Sequence, residues 1–432
     1  MTAQPAVPAA MADTREGRRA RAVELARLGE LTAASRLLAE ELRSDGAAWL
    51  NSVISQAMQA SDLRLAGDLA RIGSGLRHGG RVLHASPPAW LAHGSIDRSA
   101  RDERELSAGK LQHDIDQLRY LRTAGIADGT VETVIASYQQ IAAELAAIDP
   151  EARRSLSEEE HATIGDIYGR LIHIRPTPRL DRALSSSWDP AAAEDTYLTG
   201  RAGLVVIDEF LAPGALAELQ AFCLESTVWN ANRYAHGRLG AFFDAGFNCP
   251  LVMQIAEELR ASFPRMIGSR HRLRQLWAFK YPPELPSGST IHADFAAVNV
   301  NFWITPERAN LNPSTGGLLI YDVDAPREWD FATYNGRLDL IKEFLRRNQA
   351  RVTYVPYREN RAIIFDSDLF HATAEVTFRP SYESRRINIT MLYGVREQDD
   401  PKPRLPGSPP VASSAISSGW RSAAFARTRR LP

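Results

Sequence analysis

Cysteine is nearly absent from this chain. Cys223 and Cys249 are the only two in 432 residues. One disulfide is the most such a pair can form, so there is no disulfide framework, and the scarcity suits a reducing cytosol. Excess charge is missing as well: 51 Lys and Arg nearly cancel 52 Asp and Glu. No overall field would draw in nucleic acid or an anionic membrane. No apolar run approaches the roughly 20 residues of a membrane span. Residues Met1 to Ala12 are rich in Ala and Pro and lack a basic stretch before an apolar core, so they do not read as a signal peptide. These absences lead us to expect a soluble, cytoplasmic protein. What is present, 44% hydrophobic and 24% charged residues, is ordinary for a globular chain long enough for about two or three domains.

Residues 1–13 read as a disordered leader. From Arg15 to Gly75 apolar and Ala positions fall three and four apart, the helical spacing. A faint echo recurs at an offset of 32: Ala26, Ala34 and Leu37 align with Met58, Ala66 and Leu69, and Gly29-Glu30 aligns with Ser61-Asp62. Each unit reads helix, polar turn, helix. That pattern resembles tetratricopeptide-like hairpins, with an ordinary helical bundle as the alternative. Further helical patterns run over Ser99–Ala147 and Ser157–Ile172, set off by Pro87-Pro88 and Asp149-Pro150. His93, His113, His161 and His173 have no metal-like spacing and are expected as surface or capping residues. The sequence thus predicts a helical domain over 14–175. A Pro- and Ser-rich stretch follows, with Arg175-Pro176-Thr177-Pro178 and Ser185 to Pro190, and reads as a linker over 176–200.

Beyond it the periodicity turns to strands. Gly203 to Ile207 is β-branched and leads through Asp208 to a helix start at Pro213. Leu251, Ile255, Leu259 and Phe263 fall four apart and form one apolar stripe, as on a helix covering a sheet. Trp277, Phe279 and Tyr281 share one face of a strand by the period-2 rule. A Pro-rich bend then leads to His292-Ala293-Asp294.

After 76 intervening residues comes His371, at the end of the buried-strand pattern Ala362 to Phe370. A His-x-Asp pair with a distant His is the donor set of the 2-His-1-carboxylate triad, which holds non-haem Fe(II) on one face and leaves other positions open. Fifteen residues on, Arg386, Asn388 and Thr390 alternate with Ile387, Ile389 and Met391. A lone Arg on the polar face of a strand is poorly explained by packing, whereas its planar fork suits a carboxylate.

With these residues in view, the segment from about 200 to 396 resembles the Fe(II)/2-oxoglutarate-dependent dioxygenases. The resemblance implies a double-stranded β-helix (jelly-roll, cupin-like) domain over 201–398 with covering helices; with the N-terminal all-α helical domain read from the apolar spacing, the chain is expected to be α+β. It implies Fe(II), 2-oxoglutarate and O2 as cofactor and co-substrates. His292, Asp294 and His371 match the iron ligands, and Arg386 matches the Arg that binds 2-oxoglutarate. Asn388 matches the second residue of an Arg-x-Asn pair, and Tyr281 the strand Tyr that contacts a carboxylate of the co-substrate. The gap from His371 to Arg386 is longer than in many branches, which keeps Arg385 and Arg379 as alternatives. Because Asp294 is present, hydroxylation, or a desaturation or cyclisation starting the same way, is expected rather than halogenation.

Asn299, Asn301 and Trp303 alternate with Val298, Val300, Phe302 and Ile304. Asn301, Trp303 and Trp277 are candidates for the pocket wall. Gly316-Gly317 reads as a turn, not a phosphate loop. Residues 322–350 form an insertion ending in an amphipathic helix from Leu338 to Arg347, either a lid over the site or surface decoration. The tail, 399–432, reads as disordered, with Trp420 and Phe425 as a candidate docking segment. The expected substrate is a small molecule or amino acid. The alternatives are a protein or peptide docked by the helical domain, and a non-catalytic binding scaffold.

Overall fold

The computed structural model describes residues 14–42, 46–82, 104–149, 151–200, 203–287 and 291–396. The leader, the tail with Trp420 and Phe425, Pro87-Pro88 and His93 lie outside them.

The chain begins with two helical hairpins: α1 (Arg15–Arg27) with α2 (Leu31–Leu42), and α3 (Gly46–Gln59) with α4 (Leu63–His78). The echo at offset 32 falls on their turns. Gly29 (φ +80) and Ser61 (φ +58) both take the left-handed conformation, which glycine tolerates and serine adopts at a cost. Thr14 Oγ1 accepts from the Gly17 N–H and caps α1, and Asp62 Oδ1 accepts from the Leu65 N–H and caps α4. Glu41 takes Arg15 and Arg19 at 3.0 and 2.8 Å and ties α2 back to α1.

A short strand, β1 (Glu105–Leu106), precedes α5 (Ala108–Thr123) and α6 (Val131–Ile148), which pack as a hairpin around Leu111, Ile115, Leu118 and Ile135. β2 (Arg154–Ser155) pairs with β1, and α7 (Glu158–Ile164) follows. The helical pattern predicted as far as Ile172 stops early. The next residue, Gly165, sits where a Cβ would lie 2.3 Å from the His161 carbonyl.

The stretch expected as a linker is packed chain. It contains α8 (Pro190–Thr199), capped by Asp189, whose Oδ1 accepts from the Ala191 N–H. Trp188 stacks between Phe210 and Phe263, with ring centroids at 6.1 and 5.7 Å. Buried Glu194 accepts from the backbone N–H of both Arg265 and Met266 at 2.7 Å. Proline and serine content signals a break in periodicity, and these long-range anchors fasten it down.

The remaining elements, in order, are β3 (Leu204–Ile207), α9 (Pro213–Glu225), β4 (Leu239–Phe242), α10 (Pro250–Ser262), β5 (Leu273–Lys280), β6 (Glu284–Leu285), β7 (Val298–Trp303) and β8 (Leu318–Asp324). The insertion carries α11 (Phe331–Gly336) and α12 (Leu338–Arg347). Then come β9 (Val352–Val355), β10 (Ala362–Asp366), β11 (Leu369–Thr373), β12 (Val376–Thr377) and β13 (Ile387–Tyr393). One antiparallel sheet has the order β3-β10-β7-β13-β5-β4; a smaller one has β11-β8-β9, and β12 pairs with β6. His292 bridges His371 and so adds its segment beside β11. Eight strands are then counted in chain order from β5, with the His292 segment second. The large sheet runs first, eighth, third, sixth, and the small sheet second, seventh, fourth, fifth. That interleaving is a jelly roll.

Alternation divides the large sheet. Val298, Val300, Phe302, Ile387, Ile389, Met391, Leu276 and Ala278 face outward into one core with α9, α10 and the two N-terminal hairpins. Helix α4 is buried along most of its length and packs on α10. Gly67 approaches so closely that a Cβ there would meet Met253 at 2.8 Å. The helical hairpins and the barrel therefore share a core. The insertion covers the outer face of the small sheet, where Tyr334, Ile341 and Leu345 pack with Ile291, Ala293, Phe370 and Ala372.

Both cysteines are buried and free. His113 and His173, expected at the surface, are buried instead. His113 sits where α5 meets the outer face of the barrel, beside the Asp114–Lys110 pair. In the same seam the fully buried Lys280 donates to the Cys223 carbonyl and to Tyr382 Oη at 3.1 and 2.9 Å. Burial pushes the Lys280 ammonium well below its usual range. Among the described residues, no helix is long and apolar enough to cross a membrane.

Candidate metal centre and its pocket

His292 and His371 are held opposite one another by two backbone hydrogen bonds, His292 N–H to the His371 carbonyl at 3.0 Å and the reverse at 2.8 Å. Their rings stand 4.4 Å apart between centroids. Asp294 follows one residue beyond Ala293 and is fixed by its N–H to the Ser367 carbonyl at 3.1 Å. Ala293 turns outward, where its N–H meets the Tyr334 carbonyl and its own carbonyl accepts from Asn335 Nδ2. The insertion thus braces the residue between two candidate ligands from behind.

The ligand atoms of His292, Asp294 and His371 lie within 4.8 Å of one another. His371 Nδ1 is 3.0 Å from the Leu369 carbonyl, which can only accept. The ring hydrogen is therefore on Nδ1, and Nε2 turns a lone pair toward Asp294 Oδ2, 3.5 Å away. Burial and the neighbouring His292 push His371 down to about 4, so it is neutral at neutral pH. Two acceptors facing each other in a buried site suit a cation.

Asp294 Oδ2 also accepts from Asn299 Nδ2 at 2.7 Å. Because a carboxylate only accepts, this bond fixes the direction of a chain across the inner face. Asn299 Oδ1 accepts from Asn301 Nδ2 at 2.6 Å, and Asn301 Oδ1 accepts from Asn388 Nδ2 and Thr390 Oγ1 at 2.8 and 2.7 Å. Asn388 gives its other amide hydrogen to Thr390 Oγ1 at 3.0 Å, and its Oδ1 is buried without a partner. Asn388 therefore offers the pocket an acceptor. Asn301 has its hydrogen bonds within this chain.

Arg386 lies on the same inner face and is fully buried. Its Nε donates to the Gly316 carbonyl at 2.6 Å, while both terminal nitrogens are buried without an acceptor. Tyr281, Trp303 and Tyr357 surround the guanidinium at 4.6, 5.3 and 5.9 Å from the ring centroids. Gly316 takes φ +80, and a Cβ there would meet Phe378 at 2.9 Å, so glycine is what brings its carbonyl to Arg386. Arg385 faces the other way and pairs with Asp116 at 3.1 Å. Arg379 is exposed and donates to the Arg308 carbonyl. Arg386 is thus the one of the three that reaches the interior.

Tyr281 Oη is 3.1 Å from Thr373 Oγ1 and spans the two sheets. Burial raises the Tyr281 phenol, but Arg238 and then Arg386 outweigh it and hold it below its usual range. Trp303 is buried against Tyr357, with its Nε1 unpartnered. Trp277 and Phe279 are half-buried on the same face, beside Phe242 of β4. Sequence reasoning misses the roles of Asn299, Tyr357, Gly316 and Arg238. Only the alternation of β7 gives a signal for the first, and nothing local marks the others. A separate cavity of about 330 Å³, lined by Gln220, Thr305, Arg308, Arg379 and Glu383 among others, contains no triad residue.

No family model matches the chain, and no curated protein matches it in sequence. Solved structures do align. A non-heme alpha ketoglutarate dependent carbocyclase, SnoK from nogalamycin biosynthesis, is 14% identical over 51% of this chain and 86% of its own, with a TM-score of 0.35. A prolyl-4-hydroxylase from Pseudomonas putida is 15% identical over 50% and 99%, at 0.28. EctD from S. alaskensis with bound Fe is 15% identical over 52% and 84%, at 0.33.

Proposed function

We propose that this chain is an Fe(II)- and 2-oxoglutarate-dependent oxygenase that hydroxylates a C–H bond of a small molecule or amino acid. The observation that carries the reading is the pairing, inside one jelly roll, of the His292–Asp294–His371 cluster with a buried guanidinium whose terminal nitrogens have no protein acceptor. Neither feature alone would suffice. Together they supply a cation site and, on the same inner face, a carboxylate site.

His292, Asp294 and His371 would hold the metal, and their shared face leaves other positions for the 2-oxo acid and O2. Arg386 would take the distal carboxylate of 2-oxoglutarate through its two free nitrogens, with Tyr281 beside it. The bound iron would supply the oxidising chemistry: 2-oxoglutarate and O2 give succinate and CO2, and one oxygen atom goes to the substrate. The chain's own part is orientation and dryness. The Leu369 carbonyl fixes the His371 tautomer, Asn299 aims Asp294, and the ring of Tyr281, Trp303 and Tyr357 keeps water from Arg386.

A small substrate is favoured over a polypeptide because the apolar face of α4 is already buried against the barrel. Two free, buried cysteines accord with a reducing cytoplasm.

The test is metal-dependent turnover of the co-substrate. Purified protein with Fe(II), O2 and 2-oxoglutarate should release succinate slowly without substrate, and a chelator should stop it. Absence of both Fe(II)-dependent succinate release and 2-oxoglutarate binding would contradict the proposal.

A further inference from the structure

Four arginines are buried among the described residues: Arg71, Arg238, Arg385 and Arg386. Arg71 is paired with Asp68, and Arg385 with Asp116. Among the described residues Arg238 and Arg386 have no carboxylate, and these two are close neighbours. Leu239 pairs with Lys280 and Ile387 with Lys280, so the next inward-facing row, one residue beyond the ends of β4, β5 and β13, reads Arg238, Tyr281, Arg386. The two guanidinium carbons lie 5.5 and 4.6 Å from the Tyr281 ring centroid. A buried cation costs free energy unless something answers it.

The geometry points to Arg238 as the anchor for a carboxylate carried by the substrate. The inference rests on the oxygenase reading, in which Arg386 is taken by 2-oxoglutarate and a second guanidinium is left over. Arg238 is 7% exposed. Its guanidinium lies between Tyr234 and Phe279, at 4.3 and 4.6 Å, and donates through Nη2 to Tyr234 Oη at 3.2 Å. Its Nε is buried and has no partner. Aromatic faces on two sides hold the fork in a plane without neutralising it, which suits a planar carboxylate. Beyond the Gly240–Phe279 row, Phe242 and Trp277 are half-buried, 6.4 Å apart between ring centroids, and offer an apolar wall for the body of such a ligand.

The loop that carries Arg238 is held from outside the barrel. Asn232 donates to the Glu105 carbonyl at 2.8 Å and takes Ser107 Oγ at 3.1 Å. Gly237 (φ +83) lies against Gly109 in the first turn of α5, where a Cβ at Gly109 would meet the Gly237 nitrogen at 2.6 Å. The helical region thereby fixes the slot, and a fixed cation binds without first being ordered.

The experiment is a ligand-observed NMR comparison on protein saturated anaerobically with Fe(II) and 2-oxoglutarate, so that Arg386 is occupied. The probes are 3-phenylpropionate, its amide 3-phenylpropionamide, and phenyl phosphate. The wild type should bind the acid about tenfold or more tighter than the amide, the scale of a charge-assisted hydrogen bond. Arg238→Gln should bring acid and amide to within about twofold, and Arg238→Lys should keep part of the preference. Should the Gln variant fail to fold, weaker acid binding with unchanged amide binding in the Lys variant supports the assignment by itself. Equal binding of acid and amide by the wild type, no binding of the acid, or a preference that survives Arg238→Gln overturns it. Tighter binding of phenyl phosphate than of the acid also overturns it, because the site would then serve a phosphate. The Fe(II)–2-oxoglutarate absorption of the same wild-type sample separates the two readings. Its absence sinks the oxygenase, while an Arg238-dependent acid preference still establishes the anion site.

Discussion

His292 and His371 exchange both backbone hydrogen bonds, at 3.0 and 2.8 Å, and so form a directly opposed pair of the small sheet. That pairing fixes the two Cα positions opposite one another, so the backbone frame of the donors is set by the fold. His292→Ala, Asp294→Ala and His371→Ala should each abolish Fe(II) binding, measured by equilibrium dialysis, with the far-ultraviolet circular dichroism of the wild type retained. Full metal binding by any one of them would remove that residue from the site.

Asn299 gives its amide to Asp294 and receives that of Asn301, and it is fully buried. Asn299→Ala leaves the Asn301 amide without an acceptor and frees Asp294 to rotate. Metal affinity should fall about 10–100-fold, as for other residues that orient a ligand. Stability should fall by about 1–3 kcal/mol. Cobalt(II) titration with a parallel denaturant curve reads both. Unchanged metal affinity would mean that Asp294 is held by other groups.

Arg386 presents the opposite case. Burial works against its charge, and its terminal nitrogens have no protein acceptor. Arg386→Met should therefore stabilise the free protein, by about 1–3 kcal/mol less what the surrounding rings now contribute. It should also abolish the rise in melting temperature that 2-oxoglutarate gives the wild type. Calorimetry with and without 2-oxoglutarate checks both halves, and loss of stability with retained ligand response would contradict them.

Acid sensitivity of the metal-free protein follows from buried histidines: His371 in the cluster, and two more away from it. Burial, with Arg77, pushes His78 down to about 4. Burial, with Lys280, pushes His113 well below its usual range. As pH falls from about 6.5 toward 4 the unfolded chain binds protons that the folded chain does not, so stability falls over that window. The melting temperature of metal-free protein should drop between about pH 7 and pH 5, and His78→Asn should reduce the slope by roughly one proton. A flat profile would mean that these rings are solvated.

Much of the pocket is legible in the sequence because strands alternate. Val298, Val300 and Phe302 face the helices, while Asn299, Asn301 and Trp303 face the pocket; Arg386, Asn388 and Thr390 of β13 repeat the rule. The spacing of His292, Asp294 and His371 is legible too, but not the element that carries His371: the run expected as one strand over 362–370 turns after Asp366, and His371 stands in the middle of β11 rather than at a strand end. What escapes depends on contacts between segments far apart in the chain. His113 is buried only because α5 docks on α9 and the 382–384 turn, and no local pattern marks that. Arg238 stands in a loop without periodicity, and its neighbours Phe279 and Tyr281 come about 40 residues later. Residues 176–200 read as a linker by composition, yet Trp188 and Glu194 anchor them through residues near 265. The insertion reads equally as lid or decoration because nothing in its own sequence shows that Tyr334 and Asn335 hold Ala293.

Metal and 2-oxoglutarate should bind together in this barrel. The most direct test is the weak visible charge-transfer band of the anaerobic Fe(II)–2-oxoglutarate complex, recorded for the wild type beside Asp294→Ala. A band in the wild type that is lost in the variant is the expected result. No band in pure, iron-loaded wild type would contradict the account.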